Sequence, residues 1–187
     1  MQVKIDFNTG IIEGCRVTIR RLSDMAEFYS DQVSVNNMLK KNRDPCIYEI
    51  YEYSNPADEG NLNFGTTIIY PGKVGSEFYM TKGHYHQKNA GEVYQGLRGN
   101  GILLLQNRKG EFRSIEMGKG SLVYIPPEWA HRSVNIGDEL FIYYFVYPSN
   151  SGHDYETIRR TGFMKLVVEK NSKPCIIDNI KYTPSES

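Results

Sequence analysis

The chain contains only four histidines, and three of them stand where they can share one site with a carboxylate. His84 and His86 are two residues apart, so on a β-strand their imidazoles point to the same face. Glu92 begins the next predicted strand, and across a hairpin its carboxylate can face the same pocket. His131 follows at the start of a later strand. Three neutral imidazoles and one carboxylate suit a divalent first-row metal and leave positions open for water or substrate.

A plainer interpretation stays open on spacing alone, because an H-x-H pair is often no more than two polar side chains. Metal-binding imidazoles also need hydrogen-bonding partners that fix their rings, and Tyr85, Gln87 and Tyr94 are the nearby candidates. The fourth histidine, His153, either belongs to the same pocket or lies exposed at a turn, with Asp154 capping a short helix.

Short β-like runs recur along the chain at about ten-residue intervals, a pattern typical of a sandwich or barrel. The predicted strands, which glycine- or proline-containing turns separate, cover residues 46–53, 66–70, 77–81, 92–98, 102–106, 112–116, 122–125, 140–147 and 163–168. Helix signals are weaker: Ser23 can cap residues 24–29, and residues 33–41 and 154–160 are further candidates. The sequence therefore predicts a mainly β fold with one or two small helices.

The balanced composition excludes several classes of function. Lys and Arg number 22, as do Asp and Glu, so the formal net charge is zero. This argues against a nucleic-acid partner and gives no reason to expect a membrane partner. No apolar run approaches the ~18 residues of a membrane helix, and the first residues lack a secretory pattern. Cys15, Cys46 and Cys175 lack C-x-x-C spacing and are expected to be reduced, which predicts a cytoplasmic protein.

The ligand pattern extends into two longer motifs. The first runs from His84 to Gly99 as H-x-H-x5-E-x6-G, and the second from Gly120 to Asn135 as G-x5-P-x4-H-x3-N. In this order they resemble the two motifs of the cupin superfamily, although the first has a longer gap before its glutamate and Glu128 stands where many cupins carry glycine. The resemblance implies a cupin β-barrel, that is, a double-stranded β-helix or jelly roll.

The length of 187 residues predicts one cupin domain over residues 1–187. Within it we expect an α+β lead-in over residues 1–45, packed on a barrel over residues 46–180. Residues 181–187 are expected to form a frayed tail.

Eight ordered segments are similar to the cupin-type phosphoglucose isomerases of archaea: residues 6–14, 20–25, 62–64, 70–75, 81–86, 127–131, 135–138 and 152–155. They cover the chain from near residue 3 to near residue 180. The resemblance implies a homodimeric cytosolic enzyme that interconverts glucose 6-phosphate and fructose 6-phosphate. It implies one divalent metal in each subunit, with Fe²⁺ as first choice and Mn²⁺, Ni²⁺, Zn²⁺ or Co²⁺ as alternatives.

The resemblance also assigns roles to residues of this chain. The metal ligands it implies are His84, His86, Glu92 and His131. The residues it places at the phosphate end of the substrate are Thr67, Thr81, the backbone of Gly83, and Tyr147. The residues it places at the sugar end are Tyr94 and His153. The candidate catalytic residues are Glu92 and His153.

The chemical route and the competing functions stay open. The isomerase reaction moves a hydrogen between carbons 1 and 2, either as hydride or through an enediol formed by a base, for which Glu92 is the candidate. Similar sites occur in iron cupin dioxygenases, and a non-catalytic cupin that binds sugar phosphate would carry the same residues. Tyr94 and Tyr147 have an alternative as barrel-interior aromatics. Lys82, near the phosphate end, either attracts the substrate electrostatically or is a solvated surface lysine.

Overall fold

The computed structural model describes residues 2–184 of the chain, and strands are its main secondary structure. The strands are Arg16–Arg21 (β1), Cys46–Tyr53 (β2), Leu62–Ile69 (β3), Lys73–Val74 (β4), Glu77–Phe78 (β5), Tyr85–His86 (β6), Glu92–Arg98 (β7), Asn100–Asn107 (β8), Phe112–Gly118 (β9), Leu122–Ile125 (β10), Trp129–Asn135 (β11), Phe141–Pro148 (β12), His153–Asp154 (β13), Lys165–Lys170 (β14) and Lys173–Asp178 (β15). The helices are Leu22–Met25 (α1), Gln32–Lys40 (α2) and Tyr155–Thr161 (α3), with a 3-10 turn at Ala26–Phe28. The prediction of a mainly β fold is confirmed.

The strands form two principal sheets that share one hydrophobic cluster. The first sheet is antiparallel, with the order β1-β2-β3-β12-β7-β10. In the second, β9, β8 and β11 are neighbours, and residues 79–86 extend it through the bridges Met80–Val134 and His84–His131. β6 pairs with β13, and β4, β5, β14 and β15 form a further sheet. This is the cupin fold that the two motifs predicted.

The first sheet directs one row of alternate side chains toward the core. On β12, Phe141, Tyr143, Phe145 and Tyr147 are all buried, as the two-residue period of a strand requires. Tyr143 packs against Tyr94 of β7 with ring centroids 4.5 Å apart. Such aromatic pairs contribute about 0.5–1.5 kcal/mol beyond the burial of their surface. The row stabilises the wall on which part of the candidate site lies.

The first helix begins at Leu22, and the prediction that Ser23 is its cap is wrong. The Arg21 N–H donates to Asp24 Oδ2 at 2.9 Å at the start of the helix. Both the N–H and the hydroxyl of Ser23 donate to the carboxylate of Asp44, at 2.8 and 2.9 Å. Ser23 therefore ties the helix to the loop before β2 instead of capping it.

The helix α3 begins where the sequence predicted. The Asp154 side chain accepts the Thr157 N–H at 2.9 Å, and the helix ends at Gly162, which has a φ of +75°. The strand β13 precedes this helix directly and places His153 opposite His86 in the ladder with β6. The capped helix therefore fixes the strand that carries the fourth histidine.

Part of the segment over residues 2–45 packs on the strands. Four of their side chains belong to the same buried hydrophobic cluster as the strand residues: Leu22, Met25, Tyr29 and Val35. Of the tail predicted for residues 181–187, residues 185–187 lie outside the described part of the chain, and the Thr183 N–H donates to Thr161 O at 3.0 Å. Within residues 2–184, no helix combines the length and the apolar character needed to cross a membrane.

Candidate active site

Four side chains converge where the second sheet meets the start of β7. His84 and His131 form an antiparallel bridge, in which the His131 N–H donates to His84 O at 3.1 Å. His86 follows in β6, and Glu92 is the first residue of β7. One ligand atom from each side chain lies within 4.8 Å of the others. The structure thus brings together the four residues that were predicted to bind a metal.

The converging atoms are buried but have no hydrogen-bond partner among residues 2–184. They are Nε2 of the three imidazoles and Oε2 of Glu92. Glu92 Oε2 lies 3.0 Å from His131 Nε2 and 3.3 Å from His86 Nε2, without the geometry of a hydrogen bond. Imidazole nitrogens and carboxylate oxygens are ligands that divalent first-row ions take in proteins. The residues therefore fit a first-row ion, since unpaired buried polar atoms are otherwise costly.

Backbone carbonyls orient two of the imidazoles. His86 Nδ1 lies 2.9 Å from Ala90 O, and His131 Nδ1 lies 3.4 Å from Trp129 O. A proton on Nδ1 leaves the Nε2 lone pair directed at the cluster. For these two rings, the prediction that side chains supply the orienting partner is wrong; the candidates had been Tyr85, Gln87 and Tyr94.

Both departures from the common cupin pattern have a structural correlate. The long loop between His86 and Glu92 carries Ala90, whose carbonyl orients the His86 ring. Glu128, which stands where many cupins carry glycine, has a φ of +69°. A left-handed conformation costs a residue with a side chain about 1–2 kcal/mol. The turn into β11 therefore keeps the backbone shape that suits glycine, at an energetic cost.

Burial and close contacts set the protonation of the cluster. Burial alone would raise the pKa of Glu92, but the contacts with His131 and His86 outweigh it and lower that pKa to about 2. Burial lowers the pKa of His84 well below its ordinary value, and the neighbouring imidazoles add to the effect. Burial also lowers the pKa of His153 to about 4. Glu92 is thus ionised and His84 neutral near pH 7, the forms in which these groups bind a metal.

A cavity adjoins the cluster. Of the ten predicted site residues, all but His86 line it. The nine are Thr67, Thr81, Gly83, His84, Glu92, Tyr94, His131, Tyr147 and His153. The His153 ring meets the His84 ring edge-on at 4.3 Å between centroids and lies 5.0 Å from Tyr147. His153 therefore belongs to the pocket, and the alternative of an exposed turn is wrong.

The segment from Thr81 to Gly83 presents groups that can bind an anion. Thr81 Oγ1 accepts the Ser133 N–H at 3.1 Å, which leaves its own proton free to donate. Gly83 has a φ of +72°, and a Cβ there would meet backbone and ring atoms at 3.0 Å or less. Lys82 lies half-buried between them, with its ammonium 5.1 Å from the centre of the Phe28 ring.

Tyr147 already has hydrogen-bond partners. Its hydroxyl donates to Glu52 Oε2 at 3.0 Å and accepts from Asn63 Nδ2 at 3.3 Å. A contact with phosphate would require this proton to leave Glu52.

Sequence reasoning missed three residues of β2 that line the cavity: Tyr48, Ile50 and Glu52. Strand alternation places them on one face. The opposite face carries Ile47 and Tyr51, so hydrophobicity alone could not show which face points inward.

The cavity opens into a wider mouth of mixed charge. Its basic residues are Arg16, Arg20, Lys82 and Arg159, and its acidic residues are Glu27, Glu52 and Glu156. Arg159 pairs with Glu156 at 2.6 Å and lies 3.6 Å from Glu27. The other three cations have no carboxylate within 4.0 Å in the described part of the chain.

Comparison with known proteins agrees with this geometry. The family model described as glucose-6-phosphate isomerase (GPI) matches residues 19–185. Glucose-6-phosphate isomerases from Pyrococcus abyssi and Thermococcus litoralis are each 51% identical over 181 residues, which is 96% of this chain and 95% of each relative. The glucose-6-phosphate isomerase from Sinorhizobium medicae is 38% identical over 165 residues, 87% of this chain and 77% of that protein. The chain belongs to the glucose-6-phosphate isomerase family, in its cupin-type form.

Proposed function

We propose that this chain is a metal-dependent isomerase that interconverts glucose 6-phosphate and fructose 6-phosphate. One observation carries the proposal: four buried ligand atoms without hydrogen-bond partners converge beside a cavity that presents anion-binding groups. The relatives are glucose-6-phosphate isomerases at up to 51% identity over nearly the whole chain, which favours this reaction over others that a cupin can host.

The metal would be held by His84, His86, Glu92 and His131. When bound, a divalent ion polarises a carbonyl group and stabilises the negative charge that develops on its oxygen. Three imidazoles and one carboxylate suit several first-row ions, so occupancy depends on supply as well as affinity. Fe²⁺ is the first choice, and Mn²⁺, Ni²⁺, Zn²⁺ and Co²⁺ are the alternatives.

The phosphate of the substrate would lie against the hydroxyls of Thr67 and Thr81 and the Gly83 N–H. Neutral donors can hold a phosphate, although less firmly than an arginine fork would. Lys82 is the nearest cation of the mouth and would add attraction. Tyr94 and His153 would contact the sugar, and Tyr147 would complete the phosphate end once its proton leaves Glu52.

The reaction breaks the C2–H bond of the open-chain aldose and forms a C1–H bond, while a proton leaves oxygen 2 and one joins oxygen 1. Glu92 directs Oε2 at the imidazoles, which leaves that oxygen poorly placed to take a proton from carbon. This slightly favours transfer of the hydrogen as hydride, with both electrons of its bond. His153 and Glu92 would then position the sugar and move the proton between the two oxygens.

The test is an anaerobic assay after the protein is stripped of metal and reloaded with Fe²⁺, Mn²⁺, Ni²⁺, Co²⁺ or Zn²⁺. Fructose 6-phosphate is supplied, and glucose 6-phosphate is measured with a coupled dehydrogenase. We expect turnover that requires metal. No product with any of the five ions refutes the proposal, and oxygen uptake without isomerisation would indicate a dioxygenase instead.

Paired variants separate the proposed metal ligand from carboxylates in general. Glu92→Gln should lose metal, by elemental analysis, together with activity. Glu49→Gln is the matched control, because Glu49 is a half-buried carboxylate bonded to Tyr51 and Tyr70 away from the cavity. Full metal content in Glu92→Gln would contradict the ligand assignment.

A run in deuterium oxide tests the route. Little deuterium in the product is expected for hydride transfer, and substantial incorporation would support the enediol route with Glu92 as the base.

The homodimer, the cytoplasmic location and the single domain over residues 1–187 stay predictions. Light scattering coupled to gel filtration checks the homodimer. Fractionation of cells that express the protein checks the location, and limited proteolysis that leaves one resistant fragment checks the single domain.

A further inference from the structure

Arg132 is a buried cation whose hydrogen bonds go to one backbone carbonyl. Its Nε and Nη2 donate to Lys82 O at 3.2 and 2.7 Å, and its guanidinium lies 4.3 Å from the centre of the Phe163 ring. The residue is only 2% exposed, and within residues 2–184 no carboxylate lies within 4.0 Å of it, although the buried carboxylate of Glu77 favours its charge from farther away. Because a buried charge without an ion pair is costly, its presence indicates a role beyond packing.

The contact fixes the orientation of the peptide group between Lys82 and Gly83. Every described peptide bond is trans, so the Gly83 N–H points away from the Lys82 carbonyl. Arg132 holds that carbonyl from outside the cavity, whereas Gly83 lines the cavity. No group in residues 2–184 accepts the Gly83 N–H, so this N–H is available to a ligand.

The strand β11 holds both flanks of this peptide. Successive residues of the strand point to opposite faces, so His131 reaches the metal cluster while Arg132 reaches the loop. The Thr81 N–H donates to Ser133 O at 2.9 Å, and the Ser133 N–H returns a bond to Thr81 Oγ1 at 3.1 Å. Lys82 therefore has little freedom to turn its carbonyl elsewhere.

We propose that Arg132 is a positioning residue for substrate binding, which directs the Gly83 N–H at the phosphate and places a positive charge behind that peptide. The proposal rests on the proposed function for the identity of the ligand. A hydrogen bond received by the carbonyl polarises the peptide group and strengthens the donor on its other side. A phosphate thus gains from the cation although the guanidinium stays outside the cavity.

The test compares the wild type with Arg132→Met, which keeps the apolar stem, and Arg132→Lys, which keeps the charge but loses the fork. With fructose 6-phosphate, we expect Arg132→Met to raise KM about tenfold and leave kcat within about twofold, because the Gly83 N–H would lose its fixed direction and with it a hydrogen bond to a charged group at the non-reacting end. Arg132→Lys should raise KM less. Metal content should stay equal in all three proteins.

A second measurement requires no turnover. Inorganic phosphate is titrated into the Zn²⁺-loaded proteins, and the amide signal of Gly83 is followed by NMR. In the wild type this signal should move with saturation, and in Arg132→Met phosphate should bind about tenfold more weakly with a smaller movement. Phosphate that binds the ion instead would move the signal equally in both proteins, which would overturn the proposal.

Arg113→Met is the matched control, because Arg113 also lies over an aromatic ring, at 4.6 Å from Trp129, but does not line the cavity. It should behave as the wild type. Unchanged phosphate affinity in Arg132→Met overturns the proposal, and so does a fall of kcat and metal content at constant KM, which marks a structural role. If Arg132→Met does not fold, Arg132→Lys decides: a raised KM supports the proposal, and an unchanged KM overturns it. A wild type that binds phosphate at Gly83 without isomerising fructose 6-phosphate refutes the proposed function alone.

Discussion

Replacing Gly83 by alanine tests how tightly the loop from Thr81 to Gly83 is held against β11. An added Cβ would lie 2.6 Å from the Phe163 ring, 2.9 Å from His131 O and 3.0 Å from Arg132 Cβ. The His131 carbonyl cannot move freely, since it accepts the His84 N–H at 3.3 Å within the metal cluster. The substitution should therefore strain both the loop and the strand.

Two costs contribute to the expected loss of stability. The left-handed conformation at φ +72° costs alanine about 1–2 kcal/mol, and overpacking adds about 1–3 kcal/mol. Alanine recovers about 0.4–1 kcal/mol by restricting the unfolded chain. Gly110→Ala has only the first cost, because its φ is +83° and no atom lies within 4 Å of the added Cβ. Gly83→Ala should therefore lose about 1–3 kcal/mol more than Gly110→Ala.

Urea unfolding of the metal-free proteins measures this difference, because chelation removes any contribution from metal affinity. Equal slopes of the free energy of unfolding against urea would show that the midpoints report stability. Equal losses in the two variants would refute the reasoning, since the loop would then yield to a side chain at no cost.

Three further predictions concern the loop, the mouth and the lead-in. Thr81→Val should raise KM for fructose 6-phosphate about tenfold at nearly constant kcat, because on the proposed function it removes one hydrogen-bond donor to the phosphate. Thr81→Ser keeps the hydroxyl and should leave KM unchanged, and a change in kcat alone would contradict phosphate binding by Thr81. Lys82→Met should lower kcat/KM at low ionic strength and flatten the dependence of kcat/KM on salt, because it removes a cation of the mouth that has no ion pair within residues 2–184. An unchanged salt dependence would count against electrostatic attraction of the substrate by Lys82. Asp31→Ala should cost about 1 kcal/mol and lower Tm by about 2–4 °C, since the Asp31 side chain caps α2 by accepting the Ser34 N–H at 2.9 Å. Hydrogen bonds from the Ser34 side chain and backbone lower the pKa of Asp31 from 3.8 in the folded protein. The stabilisation by the ionised cap is therefore present above pH 3.8 and is lost as the pH falls through the lower pKa of the folded state. Thermal melts in which Asp31→Ala keeps its lower Tm at the lowest pH would contradict this.

The strands with a clear local signal could be predicted closely. The bounds of β2, β7 and β10 are those that alternation and turn residues indicated. β1 was missed because its apolar residues face solvent: Val17 is 46% and Ile19 47% exposed. Its place is set by backbone pairing with β2 at the edge of the sheet, and the short alternation of Val17 and Ile19, bounded by arginines, is a weak signal in the sequence.

The cluster of three imidazoles and one carboxylate could be predicted because side-chain type and strand spacing carry its signal. The groups that orient it could not, because they are the carbonyls of Ala90 and Trp129, and any residue has a carbonyl. The contact of Arg132 with Lys82 O was hidden for the same reason. An arginine directly after a candidate ligand histidine, and therefore on the opposite face of a strand, is the signal that could have drawn attention to it.

The stretch from Thr81 to His84 joins the candidate anion donors to the first of the four converging side chains by a few covalent bonds. Consecutive Cα atoms are about 3.8 Å apart, which limits the interval between the two ends, and the backbone hydrogen bonds of Thr81 and His84 to β11 hold it there. On the proposed function, the backbone acts as a gauge of carbon-chain length. A phosphorylated sugar too short to span the interval would occupy one end and leave its carbonyl out of reach of the other.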